Sequence, residues 1–225
     1  MPRDTLDREM HHLQDEVLLL GSMVEQAILD AVETLRQRDV NAARRIYLAD
    51  QHINEKRFAI ENATLIVIAT QQPMAHDLRF LAAILEVITE LERIGDYAKG
   101  IAKITMRLGD ENIPIPIREF SRMAELAVSM LHRALGAFIN EDAGVASQIP
   151  AEDNKVDELF ERTYHSLVTS MIADPEIIDT TNLLMWVGHN LERTADRATN
   201  ICERTIFIAT GELMEIETPE DEDIL

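Results

Sequence analysis

The feature that most constrains the fold is an internal duplication with a spacing of about 100 residues. The stretch Leu91–Asp96 (LERIGD) recurs 100 residues later as Leu191–Asp196 (LERTAD). Three upstream positions recur 103 residues later: Asp39, Asp50 and Asn54 correspond to Asp142, Asp153 and Asp157. Two long copies are too few for a solenoid array, so the chain is predicted to fold as two similar modules.

The class of each module follows from the scarcity of turn residues. The chain has only 8 Gly and 7 Pro among 225 residues, and aromatic residues make up 4%. An all-β fold needs turn residues at every reversal of the chain, so sandwiches and barrels are excluded. An apolar content of 46% also excludes a wholly disordered chain. The sequence therefore predicts an all-α protein.

Capping and breaking residues divide the chain into six helices, three in each copy. The predicted helices are Asp4–Arg38, Asp39–Thr70, Pro73–Gly109, Ile117–Asn140, Asp142–Ala173 and Pro175–Gly211. Pro150 is expected to start or kink the fifth. The fold class is thus two tandem three-helix bundles, with residues 1–112 in the first and 113–212 in the second. Residues 213–225 form an acidic tail that we expect to be disordered.

Charge and segment length narrow the partners and the location. The net charge is −20, so nucleic acid and anionic membrane surfaces are unfavourable partners. Uncharged apolar runs such as Leu65–Ala69 are too short to cross a bilayer, which predicts no membrane insertion. The N-terminus has no apolar signal region, and the single Cys202 cannot form an internal disulfide. These features predict a cytoplasmic protein.

Carboxylates at helical spacing lie on the apolar faces of both copies. Asp153 and Asp157 share a stripe with Val156 and Leu167, and Glu92 shares one with Leu81. Charges on such a face are unfavourable unless something offsets them.

The spacing suggests that a cation offsets them. Counted from the turn at Pro73, Asn54 and Asp50 lie 19 and 23 residues before it. Glu92 and Asp96 lie 19 and 23 residues after it. The second copy repeats this arrangement around Pro175 to within two residues. Pairs of acids therefore meet at one level across each helix hairpin, as an oxygen-ligand site for hard cations requires. Asn200 and Glu203 extend the second row by a further turn.

A single Glu-x-x-x-Asp pair more often marks a solvated helix face. Neighbouring arginines could also neutralise the acids: Arg57, Arg93 and Arg193. Duplication, apolar placement and matched depth together favour metal binding over this simpler explanation.

The sequence resembles the PhoU family of phosphate-transport regulators from Asp4 to Glu212. The resemblance lies in Gln72–Arg79 (QPMAHDLR), Leu91–Tyr97 (LERIGDY) and Leu191–Asn200 (LERTADRATN). It implies two three-helix bundles that bind multinuclear metal clusters in a cytoplasmic, often dimeric protein. It also implies negative regulation of the high-affinity phosphate ABC transporter, through its ATPase subunit, and of a phosphate-sensing histidine kinase.

The metal positions that match the family motif fall into two groups. The first carboxylate cluster is Asp50, Glu92 and Asp96, and the second carboxylate cluster is Asp153, Asp157, Glu192 and Asp196. The first copy departs from the second at Asn54, an amide in place of Asp157, and at Gly100, in place of Asn200. We therefore expect two metal sites, the second the tighter. Iron is the first expectation, and oxygen ligands also admit manganese, magnesium, calcium or zinc.

Two other classes of function remain open at this point. A ferritin-like di-metal carboxylate oxidoreductase needs Glu-x-x-His on two helices, and only Glu9–His12 has that spacing. A metal-free helical scaffold would leave the acid clusters without a role. No nucleophile with an adjacent base and no Gly-rich phosphate loop is found, so we do not expect an enzyme. By depth, His132 and His189 could approach the second carboxylate cluster.

Overall fold

The computed structural model describes residues 2–109 and 114–216. Within these residues the chain forms seven α-helices and no β-strand, and the all-α prediction is confirmed. The helices are α1 Pro2–Gln37, α2 Val40–Gln71, α3 His76–Leu108, α4 Ile117–Ile139, α5 Ala143–Ala146, α6 Asn154–Ala173 and α7 Ile178–Thr210. Single 3₁₀ turns at Pro150–Glu152 and Pro175–Ile177 precede α6 and α7.

Local capping chemistry sets several of these boundaries where the sequence predicts them. The Asp39 carboxylate accepts a hydrogen bond of 2.9 Å from the Ala42 amide and so caps α2. Asp174 accepts in the same way from the Glu176 amide. At the other end of the chain, Gly211 has φ +80 and ends α7 in the left-handed conformation.

Proline positions account for two boundaries: the start of α3, which is predicted wrongly, and the break at Pro150, where the sequence predicts a start or a kink. α3 begins at His76 rather than at Pro73, because Pro73 lies inside a turn in which Gln72 has a positive φ. The predicted fifth helix is interrupted between Ala146 and Asn154. Pro150 has no amide proton to continue the helix, so it begins a separate 3₁₀ turn.

The helices form two three-helix bundles that share one core. α1, α2 and α3 pack on one another, and α4, α6 and α7 form the second bundle. Contacts of α1 with α4 and of α3 with α7 join the bundles, and their apolar residues make a single buried cluster. Phe80 of α3, for example, stacks on Phe138 of α4 with ring centroids 5.3 Å apart.

The contact between α3 and α7 reflects the duplication. Asn200 donates a side-chain hydrogen bond of 3.1 Å to Glu90. At the equivalent place, a Cβ on Gly100 would lie 3.0 Å from the Asn190 side-chain nitrogen. Positions 90 and 190 are equivalent, as are 100 and 200, so the two helices cross antiparallel about an approximate twofold axis.

The segment after α7 is irregular and returns to the bundle. Leu213 is 65% exposed, whereas Ile216 packs against the core and its amide donates to Glu203 at 2.9 Å. The sequence predicts a linker over residues 110–116, of which 110–113 lie outside the described residues, as do residues 217–225 of the predicted tail. In the part of the chain that the structure describes, no helix has the length and hydropathy needed to cross a membrane.

Candidate metal centre

The first carboxylate cluster lies where α2 and α3 approach closely. Asp50 projects from α2 and is only 4% exposed, while Glu92 and Asp96 project from α3. Gly95 allows this approach, because a Cβ there would lie 3.1 Å from Ile53 Cγ2 and 3.8 Å from Asp50 Oδ1. These acids therefore lie at one level of the hairpin formed by α2 and α3, as the spacing from Pro73 predicts.

These three carboxylates act on one another electrostatically. Burial raises the pKa of Glu92, and the negative charges of Asp96 and Asp50 raise it further. The pKa of Asp96 is raised by burial and then by the charge of Asp50. The charges of Arg57 and Arg93 act in the opposite direction on the pKa of Glu92. The cluster is therefore a region of repulsion that is only partly relieved by these arginines.

A lysine that the sequence analysis did not single out contacts this cluster. The Lys99 ammonium lies 2.6 Å from Asp50 Oδ2 and 3.8 Å from Asp96 Oδ1, and its hydrogen bond with Asp50 raises its pKa. Asn54 donates a second hydrogen bond to Asp50 Oδ2 at 3.1 Å. Asp50 Oδ1 is buried and accepts no hydrogen bond from any described residue. The sequence feature that could have identified Lys99 is its position one helical turn after Asp96.

The second carboxylate cluster lies between the start of α6 and the middle of α7. Asp153 is 4% exposed, and Asp157 follows it by one helical turn. On α7, the pKa of Glu192 is raised to about 7, first by burial and then by the charges of Asp196 and Asp157. The pKa of Asp196 is raised by burial, and Arg193, 3.2 Å from it, acts in the opposite direction.

One of the two histidines expected near the second cluster reaches it. His189 Nδ1 lies 3.2 Å from Glu192 Oε2, but the geometry is not that of a hydrogen bond. Burial and then the charge of Arg193 lower the pKa of His189, while the charge of Asp196 acts in the opposite direction. The expectation for His132 is wrong, because it contacts Glu25 of α1 instead.

The expected extension of the second row is also wrong. Asn200 faces α3, where it donates to Glu90, rather than facing α6. Glu203 accepts the Ile216 amide and lies 3.5 Å from Arg204. Both side chains therefore serve contacts between other parts of the molecule.

Electrostatic interactions link Asp50, Glu92 and Asp96 in one group and Asp157, Glu192 and Asp196 in the other, and Asp153 lies one helical turn before Asp157. Within residues 2–109 and 114–216, no three His, Cys, Asp or Glu side chains converge closely enough to enclose a metal ion. The second carboxylate cluster nevertheless fits an oxygen-ligated cation in its chemistry, since Glu192 Oε2 is buried and accepts no hydrogen bond from a described residue. The first carboxylate cluster fits less well, because the Lys99 ammonium already contacts two of its oxygens.

Comparison with known proteins agrees with this architecture. The PhoU domain family model matches residues 17–105 and again residues 120–205, once for each bundle. The phosphate-specific transport system accessory protein PhoU homolog of Clostridium acetobutylicum is 34% identical over 217 residues, which cover 96% of this chain and 99% of that protein. The phosphate-specific transport system accessory protein PhoU of Escherichia coli (strain K12) is 32% identical over 205 residues, 91% of this chain and 85% of that protein.

Solved structures give the same assignment. The phosphate transport system regulatory protein PhoU from Streptococcus pneumoniae superposes with a TM-score of 0.87 at 31% identity, covering 94% of this chain and 100% of that one. PhoU from Pseudomonas aeruginosa gives a TM-score of 0.86 at 31% identity, covering 92% and 99%. With both bundles matched in sequence and in structure, the chain belongs to the PhoU family.

Proposed function

We propose that this chain is a cytoplasmic, non-enzymatic regulator of phosphate uptake and of phosphate-starvation signalling. It acts as a homodimer and a negative regulator that links the high-affinity phosphate ABC transporter, at its ATPase subunit, to a phosphate-sensing histidine kinase. The observation that carries this proposal is the match of both bundles to the PhoU domain. Relatives over nearly the whole chain are named as accessory proteins of the phosphate-specific transport system.

The regulatory part is tested in the native cell. Deleting the protein is expected to leave phosphate-starvation genes switched on in phosphate-rich medium, and the wild-type chain supplied in trans should restore repression. Pull-down from the rescued strain should recover the transporter ATPase subunit and the kinase. Normal repression in a clean deletion strain that carries no second PhoU protein would contradict the assignment.

The metal is the second part of the proposal. The second carboxylate cluster holds it with oxygen ligands from Asp153, Asp157, Glu192 and Asp196. A bound cation would add to the positive charge that Arg193 and Arg197 bring to these carboxylates and would tie α6 to α7. Iron is the first candidate, followed by manganese, magnesium, calcium and zinc, which oxygen ligands also accept.

Elemental analysis tests this part directly on protein purified without chelators or an affinity tag. Asp153→Asn/Asp196→Asn should lose the metal of the second carboxylate cluster while helicity by circular dichroism stays near that of the wild type. The matched control is Glu158→Gln/Glu161→Gln, which removes two charges from α6 at exposed positions. Unchanged metal content in the first variant would contradict the metal centre and leave the acids as structural charges.

The oxidoreductase alternative finds little support in the described residues. Glu9 contacts Arg8 on α1, and His12 is exposed on the same helix, so neither joins a carboxylate cluster. A ferritin-like site would need both on the inner face of a bundle. Oxygen consumption by the metal-loaded protein would favour that alternative.

The proposed homodimer is tested separately, by light scattering on the purified protein.

A further inference from the structure

The two carboxylate clusters differ in the cations beside them. At the first carboxylate cluster, Lys99 Nζ lies 2.6 Å from Asp50 Oδ2 and 3.8 Å from Asp96 Oδ1. The position 100 residues later in the second copy is Thr199, which is buried and uncharged. The first copy therefore has a lysine ammonium beside its carboxylates, whereas the second copy has an uncharged residue at the equivalent position.

Arg57 makes a second difference of the same kind. Its side chain is 21% exposed, its guanidinium lies 2.8 Å from Glu61 Oε2, and its charge also acts on Glu92. The position 103 residues later is Phe160, which packs against α7, where its Cδ2 would lie 3.0 Å from a Cβ on Gly188. Three carboxylates beside Lys99, Arg57 and Arg93 give the first cluster a formal charge of 0, whereas four carboxylates beside Arg193 and Arg197 give the second −2.

The surroundings of Lys99 favour its place in the cluster. Asp50 is 4% exposed, and a carboxylate so buried needs a cationic or hydrogen-bonding partner. The Tyr47 ring centroid lies 5.7 Å from Lys99 Nζ and adds a favourable contact for the ammonium. A metal bound to Asp50 Oδ2 would have to displace this ammonium, and two positive charges at such a distance repel each other.

We propose, on the basis of the metal centre proposed above, that Lys99, assisted by the charge of Arg57, neutralises the first carboxylate cluster in place of a metal ion. The chain then binds metal at the second carboxylate cluster alone, and the first serves as a metal-free ion-pair network that joins α2 to α3. This inference replaces the expectation of two metal sites that the sequence analysis drew from the duplication.

The test exchanges the differing residues between the copies in a background that cannot use the second cluster. In Asp153→Asn/Asp196→Asn, Mn²⁺ bound per chain is measured by equilibrium dialysis and elemental analysis. This background should bind no Mn²⁺. Adding Asn54→Asp/Arg57→Phe/Lys99→Thr should create a site that binds about one Mn²⁺ per chain, and a further Asp50→Asn should abolish it.

Lys103→Thr in place of Lys99→Thr is the matched control, because Lys103 lies one turn further along α3 and is exposed. It should create less Mn²⁺ binding than Lys99→Thr does in the same background. Mn²⁺ bound at the first cluster while Lys99 and Arg57 are native would overturn the inference, as would failure of the exchanged variant to gain Mn²⁺. Another outcome is that the wild-type chain binds no Mn²⁺ while the exchanged variant does. That outcome would contradict the metal site proposed at the second carboxylate cluster but would support this inference.

A second measurement needs no metal. In chelator, Lys99→Thr should lower the melting temperature of the wild type by more than it lowers that of Asp50→Asn. The reason is that the Asp50→Asn background has already lost the carboxylate charge that the Lys99 ammonium offsets. Equal shifts in both backgrounds would show that Lys99 does not neutralise Asp50, and would overturn the inference. Circular dichroism on every variant separates this coupling from a failure to fold.

Discussion

At the scale of single residues, Glu192 makes the metal-free protein less stable. Its pKa of about 7 lies above the ordinary value of 4.5, so the folded chain retains a proton that the unfolded chain releases. The free energy of unfolding therefore falls as the pH rises from about 4.5 to about 7, and the full loss is present above pH 7. Burial is the main cause of the raised pKa, the charges of Asp196 and Asp157 add to it, and those of Arg193 and Arg197 reduce it.

Glu192→Gln should therefore stabilise the metal-free protein at pH 8 and have little effect at pH 4.5. We expect a gain of ~1 kcal/mol, after allowance for solvent screening of a side chain that is 22% exposed. Thermal unfolding in chelator at the two pH values measures it, with exposed Glu161→Gln as the control. An equal loss of stability at both pH values would contradict the prediction and indicate a packing defect.

Sequence periodicity identifies the face of a helix but not which neighbour that face meets. It correctly places Asp50 opposite α3 and Glu192 near Asp157, because each hairpin has one short turn from which depth can be counted. Asn200 could not be placed in this way, since α7 contacts α3 as well as α6. Lys99 was missed because a long side chain can turn towards either side of its helix.

At the scale of helices, the cap of α2 is among the features that the duplication predicts best. Asp39 holds the first turn of a helix that carries Asp50, through one hydrogen bond to the Ala42 amide. Asp142 caps α5 in the second copy through the Val145 amide. The interruption at Pro150 has no counterpart in α2, so only the second copy approaches its carboxylates through a 3₁₀ turn.

Asp39→Ala should lower the stability of the chain by ~1 kcal/mol, because the N-terminal amides of α2 lose their acceptor. Asp39→Asn is the matched control, since an asparagine side chain caps a helix about as well. Urea denaturation followed by circular dichroism compares the two variants. Equal stabilities for the alanine and asparagine variants would show that the cap contributes nothing measurable here.

At the scale of the whole molecule, Glu90 helps to fix one bundle against the other. It accepts hydrogen bonds of 3.1 Å from both Arg197 and Asn200 of α7, and its side chain is 14% exposed. Arg197 is 9% exposed at its side chain, so removing Glu90 would leave a buried guanidinium without its carboxylate partner. Glu86, one turn earlier, pairs with Arg204 in the same interface but is 55% exposed.

Glu90→Ala is therefore expected to destabilise the chain by ~2–3 kcal/mol. For a chain of this length, that is a fall in melting temperature of roughly 5–10 °C. Glu86→Ala is the matched control, and as a mostly exposed ion pair it should cost less than ~1 kcal/mol. Similar effects of the two substitutions would mean that burial does not distinguish these two contacts between α3 and α7.

The segment after α7 makes a prediction about the acidic end of the chain. Ile216 packs on the core and donates its amide to Glu203, whose side chain is 10% exposed. Ending the chain after Gly211 removes this contact and leaves Glu203 short of a hydrogen-bond donor, so we expect a loss of ~1 kcal/mol. Ending it after Ile216 keeps the contact and removes five acids, Glu217, Glu220, Asp221, Glu222 and Asp223.

If those acids form only a solvated end, the chain ending at Ile216 should match the full chain in melting temperature, metal content and partner affinity. Repulsion among five acids with no neighbouring base opposes compaction, which is the reason for this expectation. If the acids instead compete for a basic patch on the transporter or kinase, the same truncation should tighten partner binding at low salt. That gain should fade as ionic strength rises, because salt screens the competing charges. Equal melting temperatures for the two truncated chains would show that the Ile216 contact does not stabilise the bundle.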